Sequence, residues 1–352
     1  MISTAGLTAT ADAPPATTHR MKAVVFTEYG PPEVLHLTEV PKPTPKKSEI
    51  LIKVHATTVS FGDLMVRRFG EVSPREFNMP LPMWLLGRFS FGFRKPRYGI
   101  LGHEFAGEVE AVGAEVQRFK TGERVFGFLG DSMGADAAYV TMPESGAVAH
   151  MPANATFEQA AVVPYGAFIA LNLLRKARIR PGERVLIHGA SGGIGSAAVQ
   201  LAKHYGAEVT GVAGTARLEF VRALGADHVI DYTVQDFTQD GKTYDLIFDV
   251  LGRSSFARCR GSLTPSGRYF LVSFKARDIL DMLWTSLGSR KKVICGLAIP
   301  ERSEDLLEVK ALFEAGVLRA VIDRRFPLEQ TAEAHRYAES GQRKGHLVVT
   351  VV

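Results

Sequence analysis

Residues 184–217 read RVLIHGASGGIGSAAVQLAKHYGAEVTGVAGTAR, a short apolar strand, a glycine turn, an alanine-rich helix and a second strand within one βαβ unit. No other stretch restricts the fold so far. Val185, Leu186 and Ile187 form a continuous apolar run, the pattern of a strand covered on both faces. Gly189, Gly192, Gly193 and Gly195 let the backbone turn sharply and approach a ligand with no Cβ in the way. The helix expected over 196–205 carries Ala198, Leu201 and Ala202 on one stripe and stops at Gly206.

Such a turn binds anions, because the unpaired N–H groups of the first helical turn and the helix dipole both favour a pyrophosphate. Ser191, Gly192, Gly193 and Ile194 are the expected contacts. A strand before the glycines, a helix after them and a second strand at the expected distance make a dinucleotide the expected guest. NAD-binding proteins place an acid about 20 residues beyond the glycines to meet the ribose. This chain has Ala213-Gly214-Thr215-Ala216-Arg217 there, so Thr215 and Arg217 favour a 2′-phosphate, and NADPH over NADH.

With 352 residues, 46% of them hydrophobic, the chain can fill two cores. A net charge of +5 suits phosphate-bearing ligands, and no nucleic-acid-reading motif accompanies it. Two cysteines, Cys259 and Cys295, exclude a disulfide framework or a cysteine-rich metal knuckle and fit a reducing cytoplasm. No apolar run reaches the roughly 18 residues of a membrane span. Residues 1–20, rich in Thr, Ala and Pro, read as a disordered tail rather than a signal peptide.

From Met21 onward short β-branched strands alternate with proline turns. Four motifs then coincide: GHEFAGEVEAVG from Gly102, the GASGGIG turn, LGADHVIDYT from Leu224, and GQRKGHLVVTV from Gly341. With them the chain from Met21 to Val352 resembles the medium-chain dehydrogenase/reductases, and within them the zinc-independent quinone oxidoreductases and enone reductases. The resemblance implies an α/β architecture with a discontinuous GroES-like β domain over 21–147 and 301–352. A Rossmann domain with a doubly wound parallel sheet is implied over 148–300. The zinc-using members supply a Cys-His-Cys set, and the matching positions here are Ser60, His103 and Tyr165. Two neutral hydroxyls beside one imidazole are poor zinc ligands, so no metal is expected. Those same three residues are then the candidate donors to a carbonyl oxygen, with a cleft or core histidine as the plainer role for His103. By the same resemblance Tyr232 flanks the 2′-phosphate.

YDLIFDVLG from Tyr244 and GRYFLVSF from Gly267 are the expected next parallel strands, with Leu251, Ser273 and Phe274 at their carboxyl ends beside the nicotinamide. A single amphipathic helix is expected from Ala160, and an aromatic-basic one over 275–292 with Leu280, Leu283, Trp284 and Leu287 packed on the core. VICGLA from Val293 resembles the edge strand through which relatives form homodimers. The segment 71–98 is apolar and basic together. It is expected to act as a lid over an apolar pocket, then as a subunit contact, then as a weak contact with an anionic membrane surface.

The expected activity is NADPH-dependent hydride transfer to a small apolar quinone or α,β-unsaturated carbonyl. The alternatives are a zinc-type alcohol dehydrogenase and a non-catalytic cofactor-binding or membrane-associated scaffold. A short-chain dehydrogenase is excluded because the glycine turn lies mid-chain and no Tyr is followed by Lys four positions on.

Overall fold

A computed structural model describes residues 19–74, 76–77, 79–97, 99–296 and 303–351. The tail expected at 1–20 lies outside these except for its last two residues, and Arg20 already opens a strand, Arg20–Val25.

Six parallel strands form one sheet in the order His228–Asp231, Glu208–Ala213, Arg184–His188, Tyr244–Asp249, Leu263–Leu271, Lys292–Cys295. The order reverses beside Arg184–His188, which puts a ligand crevice at that strand's carboxyl end. A seven-stranded sheet is built from Glu49–Thr58, Glu104–Val112, Arg124–Phe128, Tyr139–Pro143 and Ala147–His150 together with Ile322–Pro327 and His346–Thr350. His346–Thr350 pairs with Glu49–Thr58, so the end of the chain returns to the β domain.

Helix Pro164–Ala177 joins the two halves: Ala167, Leu171 and Leu174 share one core with Ala56 and Phe126 of the β domain and Val185 and Leu201 of the other. The single helix expected from Ala160 is two, Phe157–Ala161 and Pro164–Ala177. Pro164 is the cause, since it has no N–H to continue the first helix but suits the first turn of the second.

The 275–292 segment corrects another expectation. Helix Ala276–Ser286 turns Ile279 and Met282 toward the core and leaves Leu280, Leu283, Trp284 and Leu287 in solvent, Leu287 at 87% exposure. Among the described residues no helix is long and apolar enough to cross a membrane.

Candidate active site

Helix Gly193–His204 begins directly after the turn, with Gly192 as its N-cap. The first intrahelical bond is Ser196 N–H to Gly192 O at 2.8 Å, which leaves the amides of Gly193, Ile194 and Gly195 free of helical partners. The glycines differ in why they are there. A Cβ on Gly195 would stand 2.0 Å from Gly189 O, so that glycine is demanded by packing. A Cβ on Gly192 would meet nothing nearer than Gly189 O at 3.6 Å, and on Gly193 nothing nearer than His346 Cε1 at 3.4 Å. The fold tolerates a side chain at 192, yet the sequence keeps that space open.

The space is a cavity of about 440 Å³ reached by Ser191, Gly192, Leu251, Arg217, Tyr232 and Arg343. It shares Arg217 and Tyr232 with a second cavity of about 670 Å³, also lined by Thr215, Lys344 and Tyr337. Together they make a trough along the carboxyl ends of the strands. Buried Asp249 shapes its wall, accepting from the backbone N–H of Leu251 at 3.1 Å and Gly252 at 3.0 Å and from the Tyr269 hydroxyl at 2.8 Å. That holds Leu251 over Gly189.

Two expected contacts do not reach the trough. Phe274 is buried in the core with Tyr269 and Phe256, in the bend that leads from strand Leu263–Leu271 to helix Ala276–Ser286, and Ser273 lines neither cavity. Ile194 is half-buried against the central core, so only its backbone faces the turn.

At the adenosine end Tyr232 lies against Gly214, and the Arg217 guanidinium donates to Gly341 O. Thr215 donates to Asp231 at 2.5 Å, and Asp231 also accepts from the Thr233 hydroxyl at 2.7 Å and its amide at 2.9 Å. The carboxylate near this end is thus occupied by Thr215 and Thr233. Arg343, missed in the sequence, is half-buried beside Arg217, and burial and the Arg217 charge push its pKa down. Among the described residues no hydrogen bond or ion pair takes its guanidinium, which is what an anion site needs.

The second centre is a buried carboxylate. Ser60 caps helix Phe61–Arg67, and Asp63 at its third position accepts from the Ser60 backbone N–H and hydroxyl, both at 2.7 Å. Its other oxygen takes Gly102 N–H at 3.0 Å and His103 Nδ1 at 2.6 Å. Burial alone would raise the Asp63 pKa, but the charge and hydrogen bond of His103 and the Ser60 donor outweigh it and hold it at about 2. Burial likewise pushes His103 down, and Asp63 more than reverses this, so its pKa is raised. With Nδ1 engaged, Nε2 is the nitrogen left for other work; it lies where Gly62 has no Cβ, 3.2 Å from where one would stand. Ser60 is therefore a support for Asp63 and not a free donor as expected.

Two more buried carboxyls surround this pair. Glu104 accepts from the Thr58 hydroxyl at 2.6 Å and Tyr165 N–H at 2.7 Å, and burial raises it to about 7. Burial and the Asp63 charge raise Asp136 well above the usual carboxyl range. Tyr165 sits across the Phe128 ring from His103, the centroids 5.8 and 6.2 Å from that of Phe128. Burial and then Glu104 push its hydroxyl up to about 12, which keeps it a donor.

The alcohol dehydrogenase GroES-like domain matches residues 46–153, and the zinc-binding dehydrogenase domain matches residues 224–349. Human quinone oxidoreductase is 30% identical over 90% of this chain and 93% of its own length. The chain belongs to the medium-chain dehydrogenase/reductases. Within the family it lies in the quinone oxidoreductase-like branch and is an oxidoreductase of a nicotinamide-dependent type. The chloroplastic NADPH-dependent alkenal/one oxidoreductase of Arabidopsis thaliana is 30% identical over 99% of this chain and 83% of its own length. A solved quinone oxidoreductase from Coxiella burnetii superimposes with a TM-score of 0.81 at 29% identity, covering 95% of this chain and all of that one.

Zinc, named in one of the family's domains, can be tested on the donors present. At the three positions the resemblance matches to its zinc ligands stand Ser60, whose hydroxyl is given to Asp63, His103, and neutral Tyr165. No group of three or more His, Cys, Asp or Glu suited to a metal occurs among the described residues, and both cysteines lie buried in the Rossmann core. Such a donor set does not fit zinc.

Proposed function

We propose that this protein is a zinc-independent, NADPH-dependent reductase of small apolar α,β-unsaturated carbonyls or quinones. The observation that carries the reading is the buried Asp63–His103 pair, 2.6 Å apart, with the Phe128 ring next to both its imidazole and Tyr165. A bound nicotinamide supplies hydride to the conjugated carbon of the substrate. The chain's task is then to manage the negative charge that collects on the carbonyl oxygen. His103 Nε2–H and the Tyr165 hydroxyl are the donors for it, and His103, whose proton Asp63 holds more tightly, is the proton source. Asp63 acts through His103 as a positioning residue. Serine at 60 serves this purpose better than a thiolate, because its hydroxyl stabilises the carboxylate that orients the imidazole.

At the coenzyme end, Arg343 and Arg217 beside Tyr232 supply the charge for phosphate, and Thr215 with Thr233 already occupies the nearby Asp231. By the family resemblance, the positions at or near the paired cleft tyrosines of some quinone oxidoreductases are Met65 and Glu71 here, which favours enones. Met79 packs on the Rossmann core from the insertion of the other domain, as a lid over the cleft requires. We also propose a cytoplasmic homodimer. Strand Lys292–Cys295 is the last of its sheet and offers its outer edge to a second copy, although Leu297 and Ala298 of that motif lie outside the described residues.

The test is oxidation of NADPH and NADH against paired panels of quinones and alkenals, with elemental analysis of the same sample. We expect NADPH-linked turnover without bound zinc, and a loss of about 10²-fold or more in kcat for His103→Ala. Turnover proportional to zinc content, or none on either panel, would overturn the reading.

A further inference from the structure

Helix Leu81–Phe91 is fastened along one side only. The Trp84 indole N–H donates to Val72 O at 2.9 Å. A Cβ on Gly87 would stand 2.7 Å from Phe69 Cζ; Arg88 donates to Phe69 O at 3.2 Å; Phe91 meets the Phe69 ring edge-on at 5.1 Å. The Tyr29 hydroxyl closes the end on Phe91 O at 2.7 Å. These anchors recur at helical spacing. The other side, Leu81, Leu85, Leu86 and Phe89, is 49–70% exposed, with Phe93 just beyond at 58%.

A second helix repeats the arrangement: Ala276–Ser286 keeps Ile279 and Met282 inward and shows Leu280, Leu283 and Trp284 outward. Met79, just before the first helix, packs against the same core cluster as Ile279 and Met282, so both elements border one core. Cations accompany both. Arg88, Arg94, Lys95 and Arg97 stand in the first segment with no carboxylate anywhere in 81–97. Lys275, Arg277, Arg290, Lys291 and Lys292 bracket the second, whose Asp278 is buried and paired with Arg277 and whose Asp281 is half-buried, so cations still outnumber carboxylates there.

We propose that this surface docks on the headgroup region of an anionic lipid bilayer. Leucine, phenylalanine and tryptophan enter the acyl boundary while arginine and lysine meet lipid phosphates. Each helix has 11 residues, about 16 Å at 1.5 Å per residue, so the elements lie on the bilayer and do not span it. Charge decides against a second copy as the occupant. A two-fold contact sets a patch against itself, and here that would oppose cation to cation with no carboxylate in 81–97 to pair them. The proposal is independent of which carbonyl is reduced.

The test is flotation of the full chain with vesicles of phosphatidylcholine alone and of phosphatidylcholine mixed with phosphatidylglycerol. In a Trp84→Phe background Trp284 is the one remaining tryptophan and reports insertion by a blue shift of its emission. We expect partitioning to anionic vesicles at least about tenfold above neutral ones, weakening with salt. Leu86→Asp with Phe89→Asp, both at exposed positions, should cut it by about tenfold at an unchanged melting temperature and unchanged NADPH titration. Equal and negligible partitioning to both vesicles refutes the proposal, as does a double variant that binds like the parent. So does a solution mass showing that the double variant dissociates a parent oligomer, since the patch then contacts another copy.

Discussion

Replacing Gly192 by valine separates a turn that only folds from one that binds. Gly192 has φ −80° and ψ 171°, extended backbone that a β-branched residue adopts readily, and its Cβ would meet only Gly189 O at 3.6 Å. The stability change is therefore that of exchanging an N-cap, below about 1 kcal/mol. A coenzyme diphosphate feels the substitution differently. To accept from the free amides of Gly193 and Ile194 at about 2.9 Å, its oxygens must come to the place the isopropyl group occupies. Losing two hydrogen bonds to a charged group, at about 1.5–3 kcal/mol each, weakens binding by about 3–6 kcal/mol, or roughly 10²–10⁴ in Kd.

The assay is NADPH titration by nicotinamide fluorescence, with thermal unfolding of the same sample. Gly195→Val is the contrasting control, because its Cβ would overlap Gly189 O and must cost folding rather than binding alone. A Gly192→Val protein that titrates like the parent would refute the coenzyme cradle. One that loses several kcal/mol of stability would show that the glycine serves the turn.

Arg343→Ala should raise the NADPH Kd about tenfold or more without lowering the melting temperature, since the guanidinium contributes no hydrogen bond or ion pair to the described residues; an unchanged Kd removes it from the site. Arg217→Ala should weaken NADPH more than NADH, and equal changes argue against 2′-phosphate recognition. Asp63→Asn should lower kcat by about 10² and move the alkaline limb of the pH–rate profile to lower pH, because the carboxylate that raises the His103 pKa is gone; a limb that stays in place denies the pair its role. Glu104 binds its proton more tightly when folded, so its contribution to stability is complete below the ordinary carboxyl range and is lost as pH rises through about 7, on the order of 3 kcal/mol. Glu104→Gln should flatten the melting temperature between pH 5 and pH 7, roughly the interval between those two values, and an unchanged slope would place the titration elsewhere.

What could be read before folding was whatever local chemistry decides. The strand, glycine turn and helix at 184–204 follow from β-branched runs, missing Cβ atoms and alanine spacing, each acting over a few residues. Asp63 belongs to the same kind of signal, a Ser-x-x-Asp cap before an apolar run, and was open to recognition at that level. Its meaning was not, because His103 lies 40 residues on and only the pairing of Glu49–Thr58 with Glu104–Val112 brings the two together. Arg343 is the same case at greater distance: a basic pair near the chain's end reads as surface charge until His346–Thr350 joins the β sheet and carries it to the trough. Helix Ala276–Ser286 fails for another reason. Both of its stripes are apolar, so periodicity locates a helix but cannot say which stripe is inside. The side that packs is fixed by strand Lys292–Cys295, whose Val293 N–H donates to the Thr285 hydroxyl oxygen at 3.1 Å and turns Ile279 and Met282 inward with it. An apolar stripe left over after packing is settled is not explained by the fold, and that residue of explanation is what the bilayer experiment addresses.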